Sequence, residues 1–90
     1  MEKRIGLLGI IVENEGSVEE LNRILHDYAR IIIGRMGIPY PEHGVSVISL
    51  VLDGTNDEIG ALSGKLGRLE GVSVKTALSK KAFPARKETL

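Results

Sequence analysis

Hydrophobic residues recur along the chain with two spacings, one typical of strands and one typical of helices. Ser17 and Thr55 are each followed three positions later by Glu, a capping-box pattern that predicts where helices begin. We therefore expect helix α1 between Ser17 and residue 30, and helix α2 between Thr55 and Gly71. Runs rich in Ile, Leu and Val predict four strands, which are β1 at residues 4–13, β2 at 31–38, β3 at 45–52 and β4 at 72–79.

The order of these elements is β-α-β-β-α-β, which is that of the ferredoxin-like fold. The predicted fold class is therefore α+β, with a four-stranded antiparallel sheet and two helices on one face. In this topology β1 and β3 are central and β2 and β4 are edges. The sequence agrees, because β1 and β3 carry apolar side chains on both faces, whereas β4 alternates apolar and polar residues.

The second face of the predicted sheet has no helix to cover it. Either face of the two central strands is apolar. The faces of β1 are Ile5, Leu7, Gly9, Ile11 and Gly6, Leu8, Ile10, Val12, and those of β3 are Val45, Val47, Val51 and Ile48, Leu50, Leu52. Leaving such a surface in water costs roughly as much free energy as a small domain has in stability. The sequence therefore predicts a homo-oligomer, a dimer or a tetramer, in which another copy covers this face or a strand edge.

Each helix carries one apolar stripe that should face the core. The stripe of α1 comprises Val18, Leu21, Leu25 and Tyr28, and that of α2 comprises Ile59, Leu62, Leu66 and Leu69. A separate line of glycines, Gly60, Gly64 and Gly67, lies on another side of α2. Each glycine weakens a helix, so we interpret the line as close packing against a helix or subunit; ligand contact and simple tolerance are the alternatives.

Length and charge restrict the kind of protein. The 90 residues make one domain, predicted at residues 1–80 and followed by a basic tail at 81–90 that we expect to be flexible. Twelve basic and twelve acidic residues give a net charge of zero, which argues against direct binding of nucleic acid. The sequence has no segment long enough to span a membrane and no cysteine, so we expect a cytoplasmic protein.

The chain has few groups suited to catalysis or metal binding. His26 and His43 are its only histidines, and we interpret both as solvated, with a metal site shared between subunits as the alternative. Asp53, Asp57 and Glu58 are interpreted as residues that turn the chain and cap α2. The sequence therefore predicts neither an enzyme nor a cofactor.

Two segments carry a resemblance to a known family. GRMGIPY at residues 34–40 and SLVLDGTNDEIGALSGKLGRLEGVSVK at residues 49–75 closely resemble the iron-only hydrogenase system regulators, and the similarity covers about residues 4–79. The resemblance implies an ACT-like regulatory domain, related in fold to the C-terminal domain of the nickel-responsive repressor. ACT domains bind small effectors at subunit interfaces, near the turn between their first strand and first helix.

The resemblance thereby implies a ligand-binding turn between β1 and α1. Gly16 matches the glycine that ACT domains carry in this turn, whereas Glu15 replaces the proline that usually precedes it. The implied ligand-binding residues are Asn14, Glu15, Gly16, Ser17 and Val18.

Two functions are consistent with these features. The first is a stand-alone oligomeric regulatory domain that binds a small effector between subunits and presents a surface to a protein partner. The second is a small enzyme or metal-binding protein whose site forms between subunits. The chain lacks a matched acid, base and nucleophile, so we favour the first.

Overall fold

The structure is a computed structural model that describes residues 2–84. Its elements are β1 Arg4–Val12, α1 Val18–Asp27, β2 Ile32–Tyr40, β3 Val45–Gly54, α2 Asn56–Gly67 and β4 Val72–Leu78. The antiparallel sheet has the strand order β2-β3-β1-β4, so β1 and β3 are central. The predicted α+β ferredoxin-like fold is confirmed.

The core lies between the helices and one face of the sheet. Leu8 and Ile10 of β1 pair with Leu50 and Ile48 of β3, and all four side chains are buried. The helices contribute a second layer of buried side chains, which are Leu21, Ile24 and Leu25 from α1 and Ile59, Leu62 and Leu66 from α2. This arrangement follows from the period of two in the strands and of about 3.6 in the helices.

The opposite face of the sheet is apolar and exposed in the single chain. Leu7 and Ile11 of β1 lie there, and they pair with Val51 and Val47 of β3. Both faces of the two central strands are apolar, as predicted. Only one of the two faces is buried within the chain.

The start of α2 forms the predicted capping box. The backbone N–H of Glu58 donates to Thr55 Oγ1 at 3.1 Å, and the backbone N–H of Thr55 donates to the Glu58 carboxylate at 2.9 Å. The second hydrogen bond holds the pKa of Glu58 below its usual value, because it stabilises the charged carboxylate. The interpretation of Glu58 as a cap is thus confirmed.

The start of α1 differs from the prediction. Ser17 makes no capping bond to the helix; instead, its hydroxyl donates to the Glu70 carbonyl at 2.7 Å. The chain enters α1 through a short 3-10 turn, Glu15–Ser17, which Asn14 caps. The predicted stripe also changes, since Val18 is 38% exposed at the first helical position and Ile24 is buried in the core.

Other element boundaries also differ from those predicted, and α1 ends at Asp27 instead of residue 30. Strand β2 begins one residue later and continues through Pro39, which pairs with Ser46; an edge strand tolerates proline because one side of it has no partner strand. Strand β3 continues to Gly54, through the expected turn. Helix α2 ends at Gly67, and Gly71 belongs to the turn before β4.

The predicted tail begins with an ordered contact. Phe83 and Lys3 form an isolated β-bridge, in which each backbone N–H donates to the other residue's carbonyl at 2.7 Å. The rest of the predicted basic tail, residues 85–90, lies outside the described residues.

Candidate functional site

The turn after β1 is held in place from two sides. Within the turn, Asn14 Oδ1 accepts a hydrogen bond from the Gly16 N–H at 2.8 Å. Across the molecule, the Glu13 N–H donates to the Gly71 carbonyl at 2.7 Å, which ties this turn to the one before β4. Together with the bond from Ser17 to Glu70, these contacts give the turn a fixed backbone conformation.

A cleft of about 600 Å³ lies between this turn and the connection from β2 to β3. We call it the turn cleft. Its lining residues are Val12, Glu13, Asn14, Glu15, Pro39, Pro41, Gly44, Val45 and Ser46. The register explains why they meet, because Val12 at the end of β1 pairs with Ser46 near the start of β3.

The five predicted ligand-binding residues have different positions relative to the turn cleft. Asn14 and Glu15 line it. Gly16 lies beside Asn14 and donates its N–H to that side chain. Ser17 is buried and bonded to Glu70, and Val18 begins α1.

Sequence reasoning missed the other wall of the turn cleft, which the β2–β3 connection supplies through Pro39, Pro41 and Gly44. The strand topology could have indicated that this connection lies beside the turn after β1. In an antiparallel β1–β3 pair, the segment leading into β3 lies at the same end of the sheet as the turn leaving β1.

The polar groups of the turn cleft favour a positively charged ligand. Glu13 and Glu15 are among its lining residues, and none of the residues that line it in the described part of the chain is basic. The Gly16 N–H, which would be suited to bind a carboxylate, is already bonded to Asn14. The cleft therefore combines carboxylates with the apolar surfaces of two prolines.

The glycine line of α2 faces open space in the single chain. A Cβ atom added at Gly60, Gly64 or Gly67 would meet no atom within 4 Å in the part of the chain that the structure describes. The proposed close packing therefore concerns another molecule, and it stays a prediction.

The two histidines are on different elements. His26 is in the last turn of α1 and lines a shallow groove with Asn22 and Arg35, whereas His43 follows β2 with its ring centroid 5.3 Å from that of Tyr40. Among residues 2–84, no group of three His, Cys, Asp or Glu side chains is placed to hold a metal ion. A metal shared between subunits stays an untested alternative.

The family model of the TM1266-like proteins, described as iron-only hydrogenase system regulators, matches residues 4–76. The chain belongs to the TM1266-like family. The family description names a regulatory role and no enzymatic one, in agreement with the prediction from the sequence. Membership of this family agrees with the resemblance carried by residues 34–40 and 49–75.

Solved structures support this membership and the fold. The uncharacterized protein TM1266 from Thermotoga maritima is 45% identical; the match covers 88% of this chain and 100% of that chain, with a TM-score of 0.84. A formyltetrahydrofolate deformylase from Pseudomonas putida KT2440 is 13% identical, with a TM-score of 0.57 over 80% of this chain and 28% of that chain. The second likeness shows the fold alone.

No match was found among curated proteins. Within residues 2–84, neither helix has the length and apolar character needed to cross a bilayer.

Proposed function

We propose that this chain is a regulatory domain of an iron-only hydrogenase system that binds a small effector in the turn cleft. In this proposal the domain acts in the cytoplasm as a homo-oligomer, and effector binding alters the surface that it presents to a protein partner. The observation that carries the proposal is the turn cleft itself, which adjoins the turn that family resemblance implicates in effector binding.

The dimensions of the turn cleft suit a small molecule. Its volume of about 600 Å³ is within the range of roughly 300–1,000 Å³ that ligand pockets occupy. One wall is the turn fixed by Asn14 and Gly71, so that wall need not be ordered when a ligand binds.

The charge of the turn cleft narrows the class of effector. Glu13 and Glu15 would attract an amine or another cationic group, while Pro39 and Pro41 would contact an apolar part of the same molecule. We therefore expect an effector such as an amine or an amino acid with a basic side chain. A nucleotide would be repelled by the two carboxylates.

A thermal-shift screen tests this proposal. Amino acids, small amines, nucleotides and divalent metal salts would each be added to the wild-type chain. We expect an amine-bearing compound to raise the Tm, since a ligand that binds only the folded state stabilises it.

Two variants locate the binding site in the same assay. Glu15→Gln should reduce the shift, because it removes one carboxylate from the turn cleft. Glu19→Gln is the matched control, since Glu19 is exposed on α1 and does not line the turn cleft. The proposal fails if no amine-bearing compound raises the Tm, or if the shift is the same in Glu15→Gln.

A further inference from the structure

The sheet face that points away from the helices carries a continuous apolar surface. We call it the outer face. Its central apolar members, which occupy three adjacent strands and are between 37% and 59% exposed, are Leu7, Ile11, Met36, Ile38, Val47 and Val51. In the register, Ile11 lies beside Val47 and Val47 lies beside Ile38, so the side chains form a row across the sheet.

The outer face is too large to be incidental. From their exposed fractions, these six residues and the adjoining Ile5 and Tyr40 present roughly 700 Å² to solvent, against roughly 300–600 Å² for the largest apolar patch of a typical monomer. A standard protein interface buries about 800 Å² on each partner. The outer face therefore has the size of one half of such an interface.

The centre of the outer face carries small residues and no large side chain. Gly9 pairs with Ser49 there, and Leu7 and Ile11 flank Gly9 along β1. A Cβ atom added at Gly9 would meet no atom within 4 Å of the described chain, so nothing in this chain fills the position. Two small residues between apolar side chains allow another backbone layer to approach closely.

The charges of the outer face border its apolar members. Among the residues paired in the sheet, Asp53 lies near the end of β3. Lys75 lies on the edge strand β4, where it pairs with Gly9, so this charge borders the apolar surface on the β4 side. An apolar centre with polar groups at its rim is the usual anatomy of a protein interface.

We propose that a second copy of this chain covers the outer face, sheet against sheet, with Gly9 and Ser49 near the two-fold axis. A two-fold axis requires one patch to pair with itself, and a broad sheet face with an apolar centre meets that requirement. The net charge of zero lets two copies approach without net repulsion. The inference rests on the homo-oligomer of the proposed function and specifies its interface.

A pair of glycine substitutions tests the interface. Gly9→Lys places a charge at its centre, and the open space at Gly9 lets the single chain accept the side chain. Gly37→Lys is the matched control, because Gly37 is also an open strand glycine but pairs with the core residue Ile48 and therefore lies on the helix side of the sheet. Size-exclusion chromatography with light scattering, over a range of protein concentrations, would measure the mass of each.

We expect a wild-type mass that is a multiple of 9.8 kDa and a dissociation constant raised at least about 30-fold in Gly9→Lys, the size of a strong interface defect. Gly37→Lys should associate as the wild type does. Far-UV circular dichroism would establish that each variant is folded. If Gly9→Lys is not folded, Val47→Lys serves in its place, since Val47 is exposed on the same face.

Two outcomes would overturn the inference, and only the second would also contradict the homo-oligomer of the proposed function. If the folded Gly9→Lys or Val47→Lys variant remains as oligomeric as the wild type, the copies meet elsewhere and the proposed function stands. If the wild-type chain is monomeric at micromolar concentration, both this interface and the homo-oligomer of the proposed function are wrong.

Discussion

Gly71 lies where the turn after β1 touches the turn before β4. Its φ of 72° is in the left-handed region, and a Cβ atom there would lie 2.6 Å from the Asn14 Cβ and 3.0 Å from the Asn14 backbone nitrogen. Both the backbone conformation and the space therefore require glycine. Because Asn14 lines the turn cleft, Gly71 also fixes one wall of the candidate site.

Replacing Gly71 by Ala should destabilise the fold. We expect a loss of about 2–4 kcal/mol in the free energy of unfolding, because the left-handed conformation is strained for alanine and the Asn14 backbone must also move. Gly44→Ala is the control, since Gly44 has a φ of 66° but open space around it, and we expect a loss of only about 1 kcal/mol. Urea unfolding measures both. Equal losses would mean that the contact with Asn14 contributes nothing.

The two capping-box patterns show which contacts local sequence can predict and which it cannot. Thr55 and Glu58 form the predicted bonds, because both partners lie within one turn of α2. Ser17 matches the same pattern, yet its hydroxyl bonds to the carbonyl of Glu70, which is 53 positions away. A contact over that distance depends on the folded topology, and local spacing carries no information about it.

At the scale of elements, the glycine line leaves one side of α2 without side chains. Gly60 and Gly64 lie inside α2 and each weaken it by roughly 0.5–1 kcal/mol relative to alanine, whereas Gly67 is its last residue. No group within the described chain fills the space beside any of the three. The structure of the single chain therefore supplies no compensation. Contact with another molecule is the explanation that we test.

Gly64→Ala distinguishes the interpretations of this line. In the Gly9→Lys background, at a concentration where that variant is monomeric, we expect Gly64→Ala to raise the free energy of unfolding by roughly 0.5–1 kcal/mol, because alanine favours the helix and meets open space. In the otherwise wild-type chain, the same change should weaken the oligomer if the line is packed against another copy. Light scattering measures this. A stabilised and fully intact oligomer would dismiss both packing and ligand contact.

The order and pairing of the elements were predictable, but the candidate site was only partly so. Strands β1 and β3 are central because their composition allows burial on both faces, and this is visible in the sequence. The turn cleft needs the β2–β3 connection as its second wall, and β2 extends through Pro39 against the local preference of proline. The family resemblance thus indicated Asn14 and Glu15, which line the turn cleft, but not the surface opposite them.

At the scale of the whole molecule, the turn cleft and the outer face meet in one segment. The side chain of Tyr40 lies at the end of the outer face, and the next residue, Pro41, lines the turn cleft. Gly44 lines the turn cleft as well, and Val45 pairs with Tyr40. A ligand that repositions this connection would therefore also change the rim of the proposed interface.

This proximity predicts that effector binding and self-association are linked. A compound found in the thermal-shift screen should bind the wild-type oligomer more tightly than the Gly9→Lys monomer, by roughly 5–150-fold if the coupling has the usual size. Gly9 does not line the turn cleft, so the variant leaves the ligand's own contacts unchanged. Calorimetric titration of both proteins measures the ratio. By reciprocity, the compound should lower the dissociation constant of the oligomer by the same factor for each site that it occupies. Equal affinities would mean that the β2–β3 connection transmits nothing between the two surfaces.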